Sequence, residues 1–400
     1  EKIDLTFVGP EAPLAAGIVD LFTDRGLRIV GPSRAASRLE GSKIFAKDFM
    51  TRHQIPTAAY RVAESPQQAI DFLKSGVFES AEARVVIKAD GLAAGKGVVV
   101  AANRSEAEKA IEDLMIHHVA GREAAERVLI EEALSGTEAS LLVFADGRDY
   151  ALMPAARDHK RIGENDTGPN TGGMGTITDA SVLSRSVEER VVREIVEPTL
   201  AGARDEGFPF KGVLFLGLML TEDGPKLLEY NVRFGDPETQ AILVRLKTDL
   251  VSIFDSMHNE TLGSLDVAWS AGSSACIVAA NKGYPGKYES GAVVEGLDER
   301  RGRVARLQLI QVLLDDVGDE TDDVEGAAEH LQLVVHRDPQ RLERPRRGVN
   351  AIPSAGRNRF DGGDQFAGRV DRSGPDDGSG NLARLSFFAV LVDQVRQFPF

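Results

Sequence analysis

Residues 87–100, IKADGLAAGKGVVV, constrain the fold more than any other stretch: a β-branched strand, a loop with Gly91, Gly95 and Gly97, then a second strand. Glycines let backbone N–H groups come close to phosphate oxygens, and Lys88 and Lys96 add positive charge to the same place. The spacing excludes a P-loop, which needs Gly, four residues, then Gly-Lys-Ser/Thr opening a helix. Here Gly97 stands where the hydroxyl residue belongs, and a strand follows. Two readings fit: a glycine hairpin that folds over a nucleotide, or a surface hairpin with two solvated lysines.

Strands and helices alternate around this hairpin. IDLTFVGPEAPL reads as a short buried strand ending in a Gly-Pro turn, residues 12–25 as an apolar helix, and LRIVGPS as a second strand. That order favours a parallel, Rossmann-like sheet at the start. Ser65 with Gln68, Ser105 with Glu108 and Ser186 with Glu189 each predict a helix start through the capping-box pattern. RVVIKAD, GVVVAA, RVLIEE, ASLLVFAD, VLFLGLML and PKLLEYNV are strand candidates, so the class expected is α/β and α+β, multidomain, with several sheets.

Composition removes several functions. With 47 basic against 62 acidic residues the net charge is −15, which disfavours a broad phosphate-backbone contact, so no nucleic-acid partner is expected. The longest apolar run has nine residues, Gly212 to Leu220. That falls well short of the roughly 18 a membrane span needs. The single cysteine, Cys276, cannot form an internal disulfide and no leader-like segment opens the chain, so a reducing cytoplasm is the expectation. Seven histidines and one cysteine leave little for a His/Cys metal cage, and a hard cation held by oxygens fits better.

Two further segments carry chemistry. In LLEYNVRFGDPETQ (227–240), strand alternation puts Glu229 and Asn231 on one face, where an anionic and a neutral oxygen can bind Mg²⁺ together, and Arg233 continues on that face. A cation beside a guanidinium suits phosphoryl transfer, since both neutralise charge on the moving phosphoryl oxygens. An edge strand with a wet polar face would read the same way. DHKRIGENDTGPNTGGMG (158–175) has five glycines in eighteen residues and no apolar periodicity, as a substrate-binding loop or a solvated one would. Its Asp158, His159, Lys160 and Arg161 supply both charges; a lone His159 is weak ground for acid/base work.

Taken in order, GSKIFAKDF (41–49), IKADGLAAGKGV, EEALSGTEAS (131–140), DHKRIGENDTGPNTGGMG, KGVLFLGLML and LLEYNVRFGDPETQ resemble the phosphoribosylamine–glycine ligase (glycinamide ribonucleotide synthetase) family, ATP-grasp enzymes of purine synthesis. VGPEAPL (8–14) and ANKGYPGKYESG (280–291) extend the match, so that it covers residues 1 to about 299. The resemblance implies ATP as co-substrate, Mg²⁺ or Mn²⁺ as metal, glycine and 5-phosphoribosylamine as substrates, and a monomer. Lys47, Lys88 and Lys96 would contact ATP, with the Gly91–Gly97 loop closing over its phosphates. Glu131 and the backbone beyond it would meet adenine, and Glu138 the ribose. Glu229 and Asn231 match the metal ligands. Glu11, Asp158, Gly172, Gly173, Arg233 and Asp236 would form the phosphoribosylamine and glycine site, with Arg233 and Lys88 the catalytic cations.

The domains implied are a partial N-terminal α/β domain (1–40), an ATP-grasp domain (41–270) with a lid at about 60–130, the start of a C-terminal domain (271–299) and an atypical tail (300–400). The family's opening strand and glycine loop do not precede Glu1, so a truncated start is expected. Residues 1–300 hold 13 Lys and 20 Arg, whereas 301–400 hold no Lys and 14 Arg. That shift coincides with the loss of match, as an altered reading frame or a foreign segment would produce. Little order is expected beyond Pro339. The alternatives are an inactive ATP-binding remnant and another ATP-grasp carboxylate–amine ligase.

Overall fold

Strands with long buried apolar runs, and helices packed against them, build the structure, a computed structural model describing residues 3–280 and 283–286 except 77, 79, 81–82, 94–96 and 165–166. Beyond these it describes the backbone of three strands, 308–313, 332–335 and 385–392. At the start, β1 (Leu5–Val8) runs parallel to β2 (Ile29–Val30), with Thr6 opposite Ile29. The strand Gln332–Val335 lies antiparallel on the other side of β1. Residues 12–25, read as one helix, form two: α1 (Glu11–Ala16) and α2 (Ile18–Asp24), separated by Gly17 at a left-handed φ of 93°. The next two helices, α3 (Arg34–Gly41) and α4 (Lys43–Arg52), start at Ser33 and Ser42, whose hydroxyls accept the N–H of Ala36 and Phe45.

A smaller unit follows, made of β3 (Tyr60–Ala63), α5 (Pro66–Lys74), β4 (Val85–Ala89), β5 (Val98–Ala101), α6 (Arg104–Met115) and β6 (Val128–Glu132). Its strands form an antiparallel sheet in the order β3-β6-β4-β5. Ala69 and Leu73 of α5 and Ala107, Ala110, Ile111 and Leu114 of α6 bury against Val85, Ile87, Val128 and Ile130, closing a core separate from the rest. Ser65 caps α5 as the sequence predicts. The Ser105 cap is corrected: Asn103 caps α6, its Oδ1 accepting the Glu106 N–H while Glu106 accepts from the Ala102 N–H and the Asn103 amide. An Asn-x-x-Glu box two residues earlier thus satisfies the orphan donors.

The large sheet is antiparallel throughout, which departs from the parallel arrangement seen at β1 and β2. It contains β7 (Thr137–Asp146), β8 (Tyr150–Leu152), β9 (Ala156–Gly163), β10 (Thr167–Thr178), β11 (Lys211–Thr221), β12 (Gly224–Asn231) and β13 (Ser274–Ala279), in the order β12-β11-β7-β9-β10-β13, with β8 beside β7. Segment 158–175, read as a loop, is most of the β9–β10 hairpin; register shifts between Thr167 and Gly175 absorb its glycines. Helices cover both faces. Leu141, Val143, Leu214 and Leu216 face the core that includes Phe49 of α4, while Leu142, Phe144, Val213 and Phe215 face Phe254 and Met257. The nine-residue apolar run is therefore a strand buried on both sides.

Between β10 and β11, α7 (Arg185–Val191) passes through a π-helical turn at Val192–Val196 into α8 (Glu197–Asp205). Ser184 caps α7 in place of the expected Ser186. Its hydroxyl sits 3.2 Å from that of Ser186. After β12 come α9 (Glu238–Leu243) and α10 (Leu250–Asn259). The strand Leu385–Val392, beyond Pro339 where little order is expected from sequence, pairs with β13 and with the strand Gln308–Leu313. The rest of the expected tail lies outside the described residues.

Candidate functional site

The smaller unit and the large sheet meet over a cleft of about 580 Å³. It is lined by Glu11, Lys47, Lys88, Gly97, Glu131, Glu138, Asp158, Gly172, Glu229, Asn231, Arg233 and Asp236, all singled out from sequence. Gly91 and Gly173 are not among the residues that line it, and Gly95 and Lys96 lie outside the described residues. The segment 133–136 joins β6 of the smaller sheet to β7 of the large one.

At one end Glu131 bridges two lysines. Its carboxylate oxygens lie 3.0 Å from Lys47 Nζ and 3.1 Å from Lys88 Nζ, with all three side chains almost fully buried. Lys47 also donates to Thr57 Oγ1 at 2.7 Å, and Lys88 to the Leu228 carbonyl at 3.3 Å. Burial pulls the Lys47 ammonium down to about 8, with Glu131 opposing. The Glu131 carboxylate is thus taken up by the two lysines. Glu138 pairs with Lys160 at 3.1 Å. Burial works to lower Lys160, but the carboxylates of Glu138, Glu229 and Asp158 outweigh it and hold it above the ordinary lysine range.

At the middle, Glu229 lies opposite Gly217 of β11 and Asn231 ends β12. Burial would raise the Glu229 carboxyl, yet Lys88, Lys160, Lys43 and Arg233 together hold it below its usual range, so it stays anionic. Among the described residues no three His, Cys, Asp or Glu side chains converge as a metal cage. A cation here would take one carboxylate and one amide oxygen and complete its shell from water and phosphate, which is how Mg²⁺ is usually held. The two residues fit that role. Arg233 is corrected in one respect: the strand ends at Asn231, so Arg233 reaches the cleft from the turn after it. Phe234, packed against Phe7 and Phe144, anchors that turn. The Arg233 guanidinium pairs with Glu11 at 3.3 Å and Glu40 at 3.2 Å.

At the far end Asp158 faces Thr176 across β9 and β10. Its Oδ1 is buried and without a hydrogen-bond partner among the described residues. Burial, then the nearby Glu238, pushes its carboxyl up to about 8. A Cβ on Gly173 would come within 2.5 Å of Pro237 Cδ and 2.9 Å of Asp158 Oδ1, so only glycine permits the β10 backbone to close on this group. Sequence reasoning missed Glu40, Lys43, Ser140 and Glu238, which also line the cleft. Lys43 lies inside the GSKIFAKDF motif and Glu238 inside FGDPE, which is a signal of position but not of direction.

Residues 41–239 match the family model described as phosphoribosylglycinamide synthetase, ATP-grasp (A) domain, and residues 1–40 its N domain. The phosphoribosylamine–glycine ligase of Pseudomonas aeruginosa is 48% identical over 300 residues, 75% of this chain and 68% of that protein. The Escherichia coli enzyme of the same name is 47% identical over 298 residues, 74% and 68% of the two chains. The crystal structure of phosphoribosylamine–glycine ligase from Thermotoga maritima superposes with a TM-score of 0.60 at 36% identity, covering 67% of each chain.

Proposed function

Because this chain belongs to the phosphoribosylamine–glycine ligase family of ATP-grasp enzymes, we propose that its cleft carries out ATP-dependent ligation of glycine to 5-phosphoribosylamine in de novo purine synthesis. A carboxylate does not condense with an amine at neutral pH. Transfer of the ATP γ-phosphoryl group to a glycine carboxylate oxygen releases ADP and leaves glycyl phosphate. The amine then forms the C–N bond as the C–O bond to phosphate breaks, and the nitrogen gives up a proton.

The supporting observation is convergence: Lys47 and Lys88, the Glu229 carboxylate with Asn231 beside it, and the Arg233 guanidinium line one cleft. Lys47 and Lys88, already aligned by Glu131, neutralise the ATP phosphates, and the Gly91–Gly97 loop covers them. The backbone after Glu131 takes adenine and Glu138 the ribose. Glu229 and Asn231 hold Mg²⁺, or Mn²⁺, which when bound supplies charge neutralisation to the phosphates. Lys88 and Arg233 stabilise the charge on the moving phosphoryl group. Glu11, Asp158, Asp236 and the backbone at Gly172 and Gly173 orient glycine and phosphoribosylamine, so that the gain comes from positioning and electrostatics. The test is ADP release by the full chain. ADP should form only when glycine is present, with sustained turnover requiring the amine; ADP formation indifferent to glycine would sink this reading.

A further inference from the structure

The ladder between β11 and β12 ends at the pair Phe215–Asn231, so the proposed metal ligand Asn231 is the last residue the sheet holds. The next backbone donor, the N–H of Val232, is buried, and a buried N–H must find an acceptor. It finds one on a different part of the chain: Glu40 Oε2, 2.7 Å away at the end of α3. The other oxygen of the same carboxylate, Oε1, lies 3.2 Å from Arg233 Nη2. Glu40 is only 8% exposed, so these bonds act in low dielectric. One residue, Ser42, separates α3 from α4, the helix that carries Lys47.

We propose that Glu40 is a positioning residue of this site: its carboxylate takes over from the sheet at Val232, fixing the backbone after Asn231 and setting the metal-binding end of β12 in the frame of the helix that carries Lys47. Without it Asn231 would be a fraying strand end, and the amide oxygen would be presented over a range of positions. The bond to Val232 needs the reach of this side chain and an acceptor oxygen, both of which an amide of the same length also offers. The inference rests on the metal reading of Glu229 and Asn231, and length against charge separates it from simple electrostatics.

The experiment is a Mn²⁺ titration of the full chain with a non-hydrolysable ATP analogue, followed by the EPR signal of free Mn²⁺, with thermal denaturation in parallel. Glu40→Asp keeps the charge but is too short to reach Val232, and the apparent Mn²⁺ Kd should rise about tenfold. Glu40→Gln keeps the length and an acceptor oxygen, and its Kd should stay within about threefold of the parent. The reverse ranking, or equal Kd values in both folded variants, would overturn the role of Glu40. Glu229→Ala run alongside distinguishes the two failures. If it loses Mn²⁺ while neither Glu40 variant moves, only this inference falls; if it binds Mn²⁺ like the parent, the metal reading falls and takes the inference with it.

Discussion

Asp158 shows what burial beside another carboxylate does to a single side chain. Its carboxyl is raised from the ordinary 3.8 to about 8, by burial first and by Glu238 second, while Lys160 pulls the other way. A raised acid holds its proton more tightly in the folded state than in the unfolded one. The associated stability is therefore complete below about pH 4 and is lost as pH rises through about 8. Asp158→Asn, which is neutral throughout, should gain on the parent across that window by on the order of 2 kcal/mol, less than the bare shift implies because the cleft admits water. Denaturation midpoints at pH 5 and 8.5 measure it, and a pH-independent difference would contradict it. Glu229 is the opposite case, an anion kept charged by four cations. Glu229→Ala should abolish metal-dependent ADP formation in a chain that still folds, and it should also lower the denaturation midpoint at neutral pH, because four cations lose the anion they surround; ADP formation equal to the parent's would contradict the metal role.

At the scale of elements, the root of the glycine hairpin is held by Asp90, just past β4. Its Oδ1 accepts from Ser42 Oγ at 2.7 Å and from the Ile44 N–H at 2.9 Å, and Oδ2 from Arg127 at 2.7 Å. Its carbonyl accepts the Lys43 N–H, and Lys43 Nζ donates to the Gly91 carbonyl at 3.1 Å. The start of α4 and the root of the hairpin are thereby one hydrogen-bonded joint between the smaller unit and the large sheet. Asp90→Ala leaves a partly buried hydroxyl and a buried N–H without an acceptor and should cost about 2–4 kcal/mol in urea denaturation. Asp90→Asn, retaining one acceptor oxygen, should recover part of that. None of this was legible in IKADGLAAGKGVVV, whose acidic residue reads locally as part of a turn; its partners lie some fifty residues before it and thirty-seven after.

For the whole molecule, the smaller unit has its own core and touches the rest through few elements, so closure over a ligand can proceed without disturbing either core. ATP with Mg²⁺ should slow amide exchange at residues 91–97 while leaving β7 and β11 unchanged. No effect in the hairpin would favour the solvated reading of its lysines. The N-terminal segment is joined to the body differently, by close backbone contact. A Cβ on Gly212 would sit 2.9 Å from Pro32 Cδ and 3.1 Å from its nitrogen, at a φ of 143°. Gly212→Ala should therefore destabilise the protein by about 2–4 kcal/mol and weaken Glu11- and Glu40-dependent functions together, since both residues ride on that segment.

The order of the motifs by itself determined the family and the ATP-grasp body, because strand alternation and glycine loops are written within ten or so residues. Local pattern also placed Glu229 and Asn231 on one strand face, since period two is a property of the strand alone. It misplaced what depends on distant partners. Residues 158–175 became most of a hairpin whose base β7 and β13 hold on its two sides, at Ala156 and at Gly175–Thr178, and 12–25 split where Gly17 lets the chain turn. Only the tertiary structure decided that Glu131 faces two lysines, that Glu40 reaches Val232, and that Arg233 sits between two carboxylates. Each of these joins residues about 40 to 220 positions apart. Such pairings are set by how helices and sheets pack, and no local period records them.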